Sequence, residues 1–539
     1  MLPTSPNNLR TPWLTDTSAL FLVSFAFFLV TLHAALPWGD APELITASVT
    51  LGVPHPPGYP LYVLLGHAMS LLPFGGAAVR LHLLSALCAS ACLVLLKCSL
   101  DIWGRPVGLS ARAARLSGLL VLATTPVFWS VARAAEVYSI LALLMAVCLY
   151  FIVRFWSHRR VPDYCVWFVA GLAMLHHYAI VPVLFWLLLR CRKRSFPILV
   201  LPLILLIVPV IRSRAGVVPD WYDPESLKGL IQLTMGGEFA GNVAKGWTRF
   251  CASPFGVLFE DGWDLFRQWG LKWGLLLPFI LVGVWRLACR SRPYAIEYGA
   301  VLLLYTGFYI LYLVGDREYF SLPFLVLSAP ALCWGLEWLA DDLSHRMHSN
   351  GPILLGLLLL LFPVWRGHQL VFAERDDEEA LRYSADVLRV LPPNALLLVG
   401  LHELSQDYEY FPLLYQQAVE RRRPDVDIIG TGFLSLPWYD KKLAERGVHP
   451  RLRDLPLGKY KTDIEWYEDV WTGIVLEMRN DRPICSTVSP AYLARRRGAA
   501  SWKKCDSGLL LQGRSFLESD SLPYLPWGTV FLLKVKDNG

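Results

Sequence analysis

Charge is what this sequence has least of. Of 539 residues only 17% are Asp, Glu, Lys or Arg, while 55% are hydrophobic and the mean hydropathy is +0.42. An ordinary soluble domain is about a quarter charged, so the shortage argues against a soluble enzyme, and no basic face for a nucleic acid is expected. Repeats of 20–50 residues and low-complexity tracts are also lacking, which disfavours solenoids and disordered tails. Cysteine is sparse outside the apolar stretches: of 11, only Cys485 and Cys505 fall in the last third of the chain, where a disulfide is permitted and its formation stays open. Residues 367–539 contain no Asn-x-Ser/Thr site, which favours a bacterial inner membrane over the endoplasmic reticulum.

What charge there is lies unevenly. Residues 367–539 carry 23 Lys and Arg against 25 Asp and Glu, a net of −2, which leaves +8 for residues 1–366. The first region reads as membrane and the second as a soluble domain. Crossing a hydrocarbon core about 30 Å thick takes about 20 apolar residues, and such runs lie near 17–36, 81–100, 116–131, 134–156, 196–211, 272–289, 295–314, 320–340 and 352–366. The stretch 164–189 is too long for one crossing and too short for two, and reads as two half-length segments with His176-His177-Tyr178 at the tip. Ala34-Ala35 would also suit the end of a signal peptide, but the later apolar runs keep the chain in the membrane either way.

Lys and Arg concentrate in cytoplasmic loops. A cytoplasmic N-terminus places Arg105, Arg112, Arg115, Arg159, Arg160, Arg190, Arg194, Arg286 and Arg292 inside. It places 38–80, 212–270, 316–318 and the C-terminal domain on the outer face. In that domain the acidic run 374–379 reads as the first turn of a helix reaching about Val390, and Pro392-Pro393 as a break. Residues 395–399 read as a buried strand, then 408–420 as helix and 426–429 as strand, with late strands near 484–488 and 530–535. That alternation predicts a small α/β domain.

Ionisable groups at membrane level are costly and usually functional. On the outer face, outside the long loop and the soluble domain, the clearest acids are Asp40, Glu43, Glu136, Asp316 and Glu318. Asp40 with Glu43 three residues on also fits a helix capping box, so both readings stay open. The continuation Pro54-His55-Pro56-Pro57-Gly58-Tyr59-Pro60 fixes a stiff, non-helical path, either framing a site or turning a corner. Glu136, between Arg133 and Tyr138, would suit a helix N-terminus as well as a cavity. His176 and His177 lack further metal ligands at a diagnostic spacing and read as a hydrogen-bonding pair at a cavity floor. Arg317 pairs with its neighbours or binds phosphate. Together these groups fit transfer of a sugar from a lipid phosphate: a carboxylate takes the proton of an acceptor hydroxyl, and Arg or His stabilises charge on the departing phosphate.

Gly39-Asp40-Ala41-Pro42-Glu43 with Gly52-Val53-Pro54-His55-Pro56-Pro57-Gly58-Tyr59-Pro60-Leu61-Tyr62 resembles the polytopic GT-C glycosyltransferases. More specifically, it resembles the transmembrane protein O-mannosyltransferases acting on IPT domains, together with their bacterial relatives. Ala135-Glu136-Val137-Tyr138-Ser139, the His177 region and Gly315-Asp316-Arg317-Glu318-Tyr319-Phe320 are similar to later blocks of that family. So are Pro412-Leu413-Leu414-Tyr415-Gln416, Arg423-Pro424-Asp425-Val426 and Leu436-Pro437-Trp438-Tyr439. The resemblance implies a polyprenyl-phosphate sugar donor, with mannose as the sugar, and Asp40 as catalytic base. It extends less to the acceptor, because eukaryotic members carry a longer repeat-containing tail.

The expectation is an all-α polytopic membrane protein, GT-C-like, of about eleven transmembrane or half-membrane segments. Its catalytic domain would be 1–366, and 367–539 a small soluble α/β domain on the periplasmic side, or the lumenal side in a eukaryote. Asp40 is assigned as base and Glu43 as its orienter or second acid. His55, Pro56, Pro57, Gly58 and Tyr59 frame the site. Arg133, Glu136, Tyr138, His176, His177, Asp316 and Arg317 line the donor cavity, with both arginines on the phosphate. The 212–270 loop, with Trp221, Tyr222 and Trp247, covers the site or shapes the acceptor cleft. The partners are the bilayer, the lipid-linked donor and a protein or glycan acceptor; no cofactor or metal is assigned. A transporter or flippase, and a non-catalytic scaffold, are the alternatives; the first would show an inverted repeat and deeply placed charges, which are not evident.

Overall fold

The computed structural model describes residues 11–346 except 107, 159–160, 192, 238–240, 266–275 and 313–316. It also describes 375–448 except 401–405 and 435, with shorter stretches within 361–368 and at 482–487, 517–521 and 531–535. The chain divides into two compact units: Met1–Ala34, Pro56–Pro209 and Gln232–Asp376 form one, and Ala35–His55, Val210–Ile231 and Asp377–Gly539 the other.

The first unit is helical. Among the described residues, five helices are long and apolar enough to cross a membrane: Ala77–Trp103, Tyr138–Trp156, Arg194–Arg214, Arg292–Leu311 and Glu318–Asp342. A sixth arises if Gly108–Ala123 and Pro126–Arg133, which cover the span expected near 116–131, count as one, but they are bent by 67°. The bend has a local cause, since Pro126 supplies no amide to continue the helix and pushes Thr125 out of the helical region (ψ 139°). The stretch 164–189 does break in two, into Asp163–His176 and, after a short turn, Val181–Arg190, with His177 extended between them. Most of 352–366 lies outside the described residues. The architecture is thus an all-α polytopic membrane region with five or six candidate spans, followed by a small β-containing domain.

One buried cluster of charge in this unit is paired. Arg115, 3% exposed, bonds Glu337 at 2.5 Å and Asp101 at 2.9 Å, and Lys97 bonds Asp101 at 2.7 Å. Removing one partner of a buried pair strands the other charge, at about 3–5 kcal/mol. Glu337→Leu is therefore expected to lower the unfolding temperature in detergent far more than the exposed change Glu378→Leu.

In the second unit, strands β1 (Leu396–Val399), β2 (Asp427–Gly430), β3 (Ile484–Ser486), β4 (Leu517–Ser521) and β5 (Phe531–Val535) form one sheet in the order β2-β1-β3-β5-β4. β1 pairs in parallel with β2 and β3, while β5 runs antiparallel to β3 and β4. β1 is buried along its whole length, as a central parallel strand must be, and this is why its sequence is an unbroken apolar run. Four of the five strands and the helices Glu379–Val390 and Phe411–Ala418 match the sequence pattern; β4, polar and within 450–539, does not announce itself. Cys485 is buried as a free thiol, and Cys505 lies outside the described residues.

Candidate active site

The helix Ala41–Thr50 begins where Pro42 presets helical geometry, and it ends on Leu51 in the left-handed region. Asp40 stands at its N-cap, but with helical φ and ψ and no side-chain capping bond. Glu43 does not turn back to complete a capping box either. Its Oε1 accepts the His55 amide at 3.2 Å and the Trp221 indole N–H, and its Oε2 lies 2.5 Å from His55 Nδ1. The other imidazole nitrogen, Nε2, lies 3.7 Å from Asp40 Oδ2. The imidazole thus links two carboxylates of unequal access: the Asp40 side chain is 35% exposed and the Glu43 side chain 0%.

Burial pushes the Glu43 carboxyl above the ordinary carboxylate range. His55, by charge and hydrogen bond, and Trp221, by its hydrogen bond, pull it part of the way back, while the charge of Asp40 adds to the rise. The arrangement suits an accessible base whose neighbouring ring is locked from behind by a buried acid.

The loop carrying Trp221 is tied in by backbone. Val53 donates to the Pro219 carbonyl at 2.7 Å, and Trp221 donates to the Val53 carbonyl at 3.2 Å. Arg212 holds the carbonyls of Thr50 (2.8 Å) and Leu51 (3.3 Å). The approach is so close at Gly52 that an added Cβ would lie 2.8 Å from the Pro219 oxygen. Gly52→Ala is therefore expected to part these strands, at about 1–3 kcal/mol, and to lower activity as Trp221 leaves Glu43; thermal unfolding and turnover on the same preparation check it.

The remaining assigned residues, Tyr222 apart, belong to the helical unit. Gly58 is left-handed (φ 82°), and a Cβ there would meet the Leu233 side chain at 2.9 Å. Tyr59 packs its ring on His176 (centroids 5.9 Å) and His177 (6.4 Å). His177 also meets Tyr138 (5.5 Å) and Phe320 (5.8 Å), and Tyr138 stacks on Tyr319 (5.4 Å). His176 is fully buried with Nε2 2.9 Å from the Val137 carbonyl, and His177 Nδ1 accepts the Ala179 amide at 3.1 Å. Arg133 is buried (2% exposed), and the Glu136 amide donates to Ser85 Oγ at 3.4 Å. Trp247 belongs to this unit and is exposed. Asp316 and the side chain of Arg317 lie outside the described residues. Among the described residues no three His, Cys, Asp or Glu side chains gather as metal ligands.

Residues 40–196, which start at Asp40 and run past the His pair, match the N-terminal domain of the protein O-mannosyl-transferase TMEM260. The chain is similar to the TMEM260 proteins. It is 26% identical over 487 residues to the mouse protein O-mannosyl-transferase TMEM260, covering 81% of this chain and 66% of the relative. The Dictyostelium discoideum TMEM260 is 22% identical over 499 residues, covering 80% and 59%. The chain thus spans about two thirds and three fifths of these relatives. ArnT from Cupriavidus metallidurans shares the fold of this chain. Its apo crystal structure has a TM-score of 0.52 at 14% identity, covering 97% of this chain and 98% of that one, and its undecaprenyl-phosphate complex gives 0.53 at 14% identity, covering 98% and 99%. The fold is therefore GT-C-like.

The structure brings Asp40, Glu43 and His55 together and adds the Trp221 indole as a donor to Glu43 that the sequence does not announce. From the sequence Trp221 belongs to a loop that covers the site or shapes the acceptor cleft, and nothing there points to Phe433 and Trp438, whose rings lie 4.9 and 5.6 Å from it.

Proposed function

We propose that the chain is an integral-membrane glycosyltransferase that moves mannose from a polyprenyl-phosphate donor to a hydroxyl of a protein or glycan acceptor. The observation that carries this reading is the Asp40–His55–Glu43 array, in which an accessible carboxylate faces an imidazole held by a buried one. Asp40 takes the acceptor proton as the acceptor oxygen bonds to the anomeric carbon. The bond from that carbon to the phosphate oxygen breaks, and polyprenyl phosphate leaves with the electron pair. A phosphate needs no proton to depart, so one base suffices, unlike the two carboxyls of glycoside hydrolysis. Asp40 then returns its proton to solvent.

Arg133 and Arg317 are assigned to the donor phosphate, and Glu136, Tyr138, His176, His177 and Asp316 to the donor cavity, with His55, Pro56, Pro57, Gly58 and Tyr59 framing the approach. The name of the TMEM260 relatives supports the mannosyl and protein parts of the reading, and the lipid phosphate bound by ArnT supports the donor. The reading includes about eleven segments, a membrane region 1–366, and a domain 367–539 outside, in the periplasm of a bacterium or the lumen of the endoplasmic reticulum. The test is transfer of label from radiolabelled polyprenyl-phosphate mannose to a membrane extract by the chain in nanodiscs. Covalent label on a protease-sensitive or glycan product supports the reading. Label that crosses the bilayer without transfer makes the chain a transporter, and no transfer at all removes the donor or the acceptor.

A further inference from the structure

The catalytic segment shares its compact unit with the C-terminal domain, and the contacts within that unit are specific. The helix Ala41–Thr50, buried from Ala41 to Ser48, packs on the domain's helix Phe411–Ala418. Trp38, two residues before Asp40, meets the rings of Tyr383 (5.7 Å) and Tyr408 (6.2 Å). The Trp221 loop is held more firmly still. On the helix Pro437–Glu445, Lys442 bonds Asp220 at 2.5 Å and Asp223 at 2.7 Å, and Lys441 bonds Asp223 at 2.6 Å and Glu225 at 3.3 Å. Ser213 adds a 3.0 Å bond to Asp220 and one to Glu225.

The turn so clamped is one the backbone would not choose. Tyr222 and Asp223 are consecutive left-handed residues (φ 65° and 49°), a conformation unfavourable for side chains with a Cβ and kept only where the surroundings over-determine it. Trp221 immediately precedes that turn. Its ring clusters with those of Phe433 (4.9 Å) and Trp438 (5.6 Å), and its N–H reaches Glu43. Asp220, Asp223 and Lys442 are all largely buried, so these ion pairs are not the weak surface kind. Burial alone would lower the Lys442 ammonium, but its hydrogen bonds to Asp220 and Asp223, and their charges, hold it above its ordinary value.

We propose that Lys441 and Lys442 are positioning residues through which the C-terminal domain seats the Trp221 indole on Glu43, and so sets the Glu43–His55–Asp40 array. The domain is then part of the catalytic machinery and not an appended module. The proposal deepens the transferase reading and rests on it for its kinetic consequence.

Lys442→Gln removes the buried half of the clamp without adding bulk, leaving Lys441 on Asp223 and Glu225. The indole hydrogen bond favours ionised Glu43, so its loss raises the carboxyl further and moves the acid limb of the pH–kcat profile to higher pH, in the same direction as Trp221→Phe. Lys442→Gln is expected to lower kcat roughly tenfold, less than the ~10²–10⁴ attributable to a positioned base, with the donor KM within about twofold. Lys442→Arg is expected to restore both kcat and the limb. The double variant Lys442→Gln/Trp221→Phe is expected to shift the limb no further than Trp221→Phe alone, because both changes remove one interaction. An unmoved limb, or shifts that add, overturns the proposal and leaves the lysines with a structural role only.

A second readout does not need sugar transfer. In protein labelled with 5-fluorotryptophan, the fluorine resonance missing from Trp221→Phe belongs to Trp221, and Lys442→Gln is expected to displace or broaden it. A resonance left in place overturns the positioning role whatever the activity. A displaced resonance in a chain whose unaltered form transfers no sugar upholds the seating and sinks the transferase reading instead.

Discussion

With Asp40 as the proposed base, Asp40→Asn is expected to lower sugar transfer by about 10²–10⁴-fold, the contribution of a positioned general base, while the protein folds as before. The second half of that expectation follows from geometry. The Asp40 side chain makes no capping bond, and its carbonyl, which the substitution keeps, accepts the Leu44 amide at 2.9 Å. Asn is as good an N-cap as Asp, so the helix Ala41–Thr50 has nothing to lose. The 3.7 Å approach to His55 Nε2 can also be made by an amide oxygen. Transfer from labelled polyprenyl-phosphate mannose, compared at matched folded protein, checks the result. Equal transfer by wild type and variant would remove Asp40 as base.

Glu43 separates into two effects through two substitutions. Glu43→Ala leaves the His55 amide, the His55 ring and the Trp221 indole without their shared acceptor in a site closed to water. Orphaned buried donors cost about 1–3 kcal/mol each, so a loss of about 3 kcal/mol or more is expected as a fall in unfolding temperature, with activity lost alongside. Glu43→Gln keeps the shape: its amide oxygen accepts from Trp221 and its amide nitrogen donates to the other tautomer of His55. That variant is expected to fold yet turn over slowly, because the charge behind the imidazole is gone.

The pH dependence gives Glu43 a further signature. Burial holds its carboxyl above the ordinary range, so the folded state binds that proton more tightly than the unfolded one. Stability from this group is complete below the ordinary carboxylate range and is lost as pH rises through the raised value. The wild type is expected to show that decline in unfolding temperature, and Glu43→Gln to lack it; parallel curves would mean Glu43 titrates as an ordinary acid.

Much of the site was legible because it is local. Asp40, Glu43 and His55 lie within sixteen residues, close enough for a helix and a proline-stiffened return to bring them together. Whether Asp-x-x-Glu closes a capping box was not legible, and only the path of the Glu43 side chain, which runs to His55 and Trp221, rules the box out. Five of the helical spans and the buried strand β1 were readable for a related reason, because each is imposed by its own run of apolar residues. The bend at Thr124-Thr125 was carried by Pro126 in plain view, yet apolar periodicity ran across it. β4 was missed because an edge strand of polar residues has no such run.

The sequence by itself determined that this chain lives in a membrane, ends in a small α/β domain and places two acids and a histidine after its first apolar stretch. Hydrophobic length, alternation and short-range chemistry need no knowledge of distant neighbours. The tertiary structure alone decided that Trp221 backs Glu43 and that Lys441 and Lys442 grip the turn beside it across more than 200 residues of chain. The acids at 220, 223 and 225 and the paired lysines were visible as opposite charges. But a salt bridge has no sequence period, and which charges meet is settled only when packing closes the loop between them.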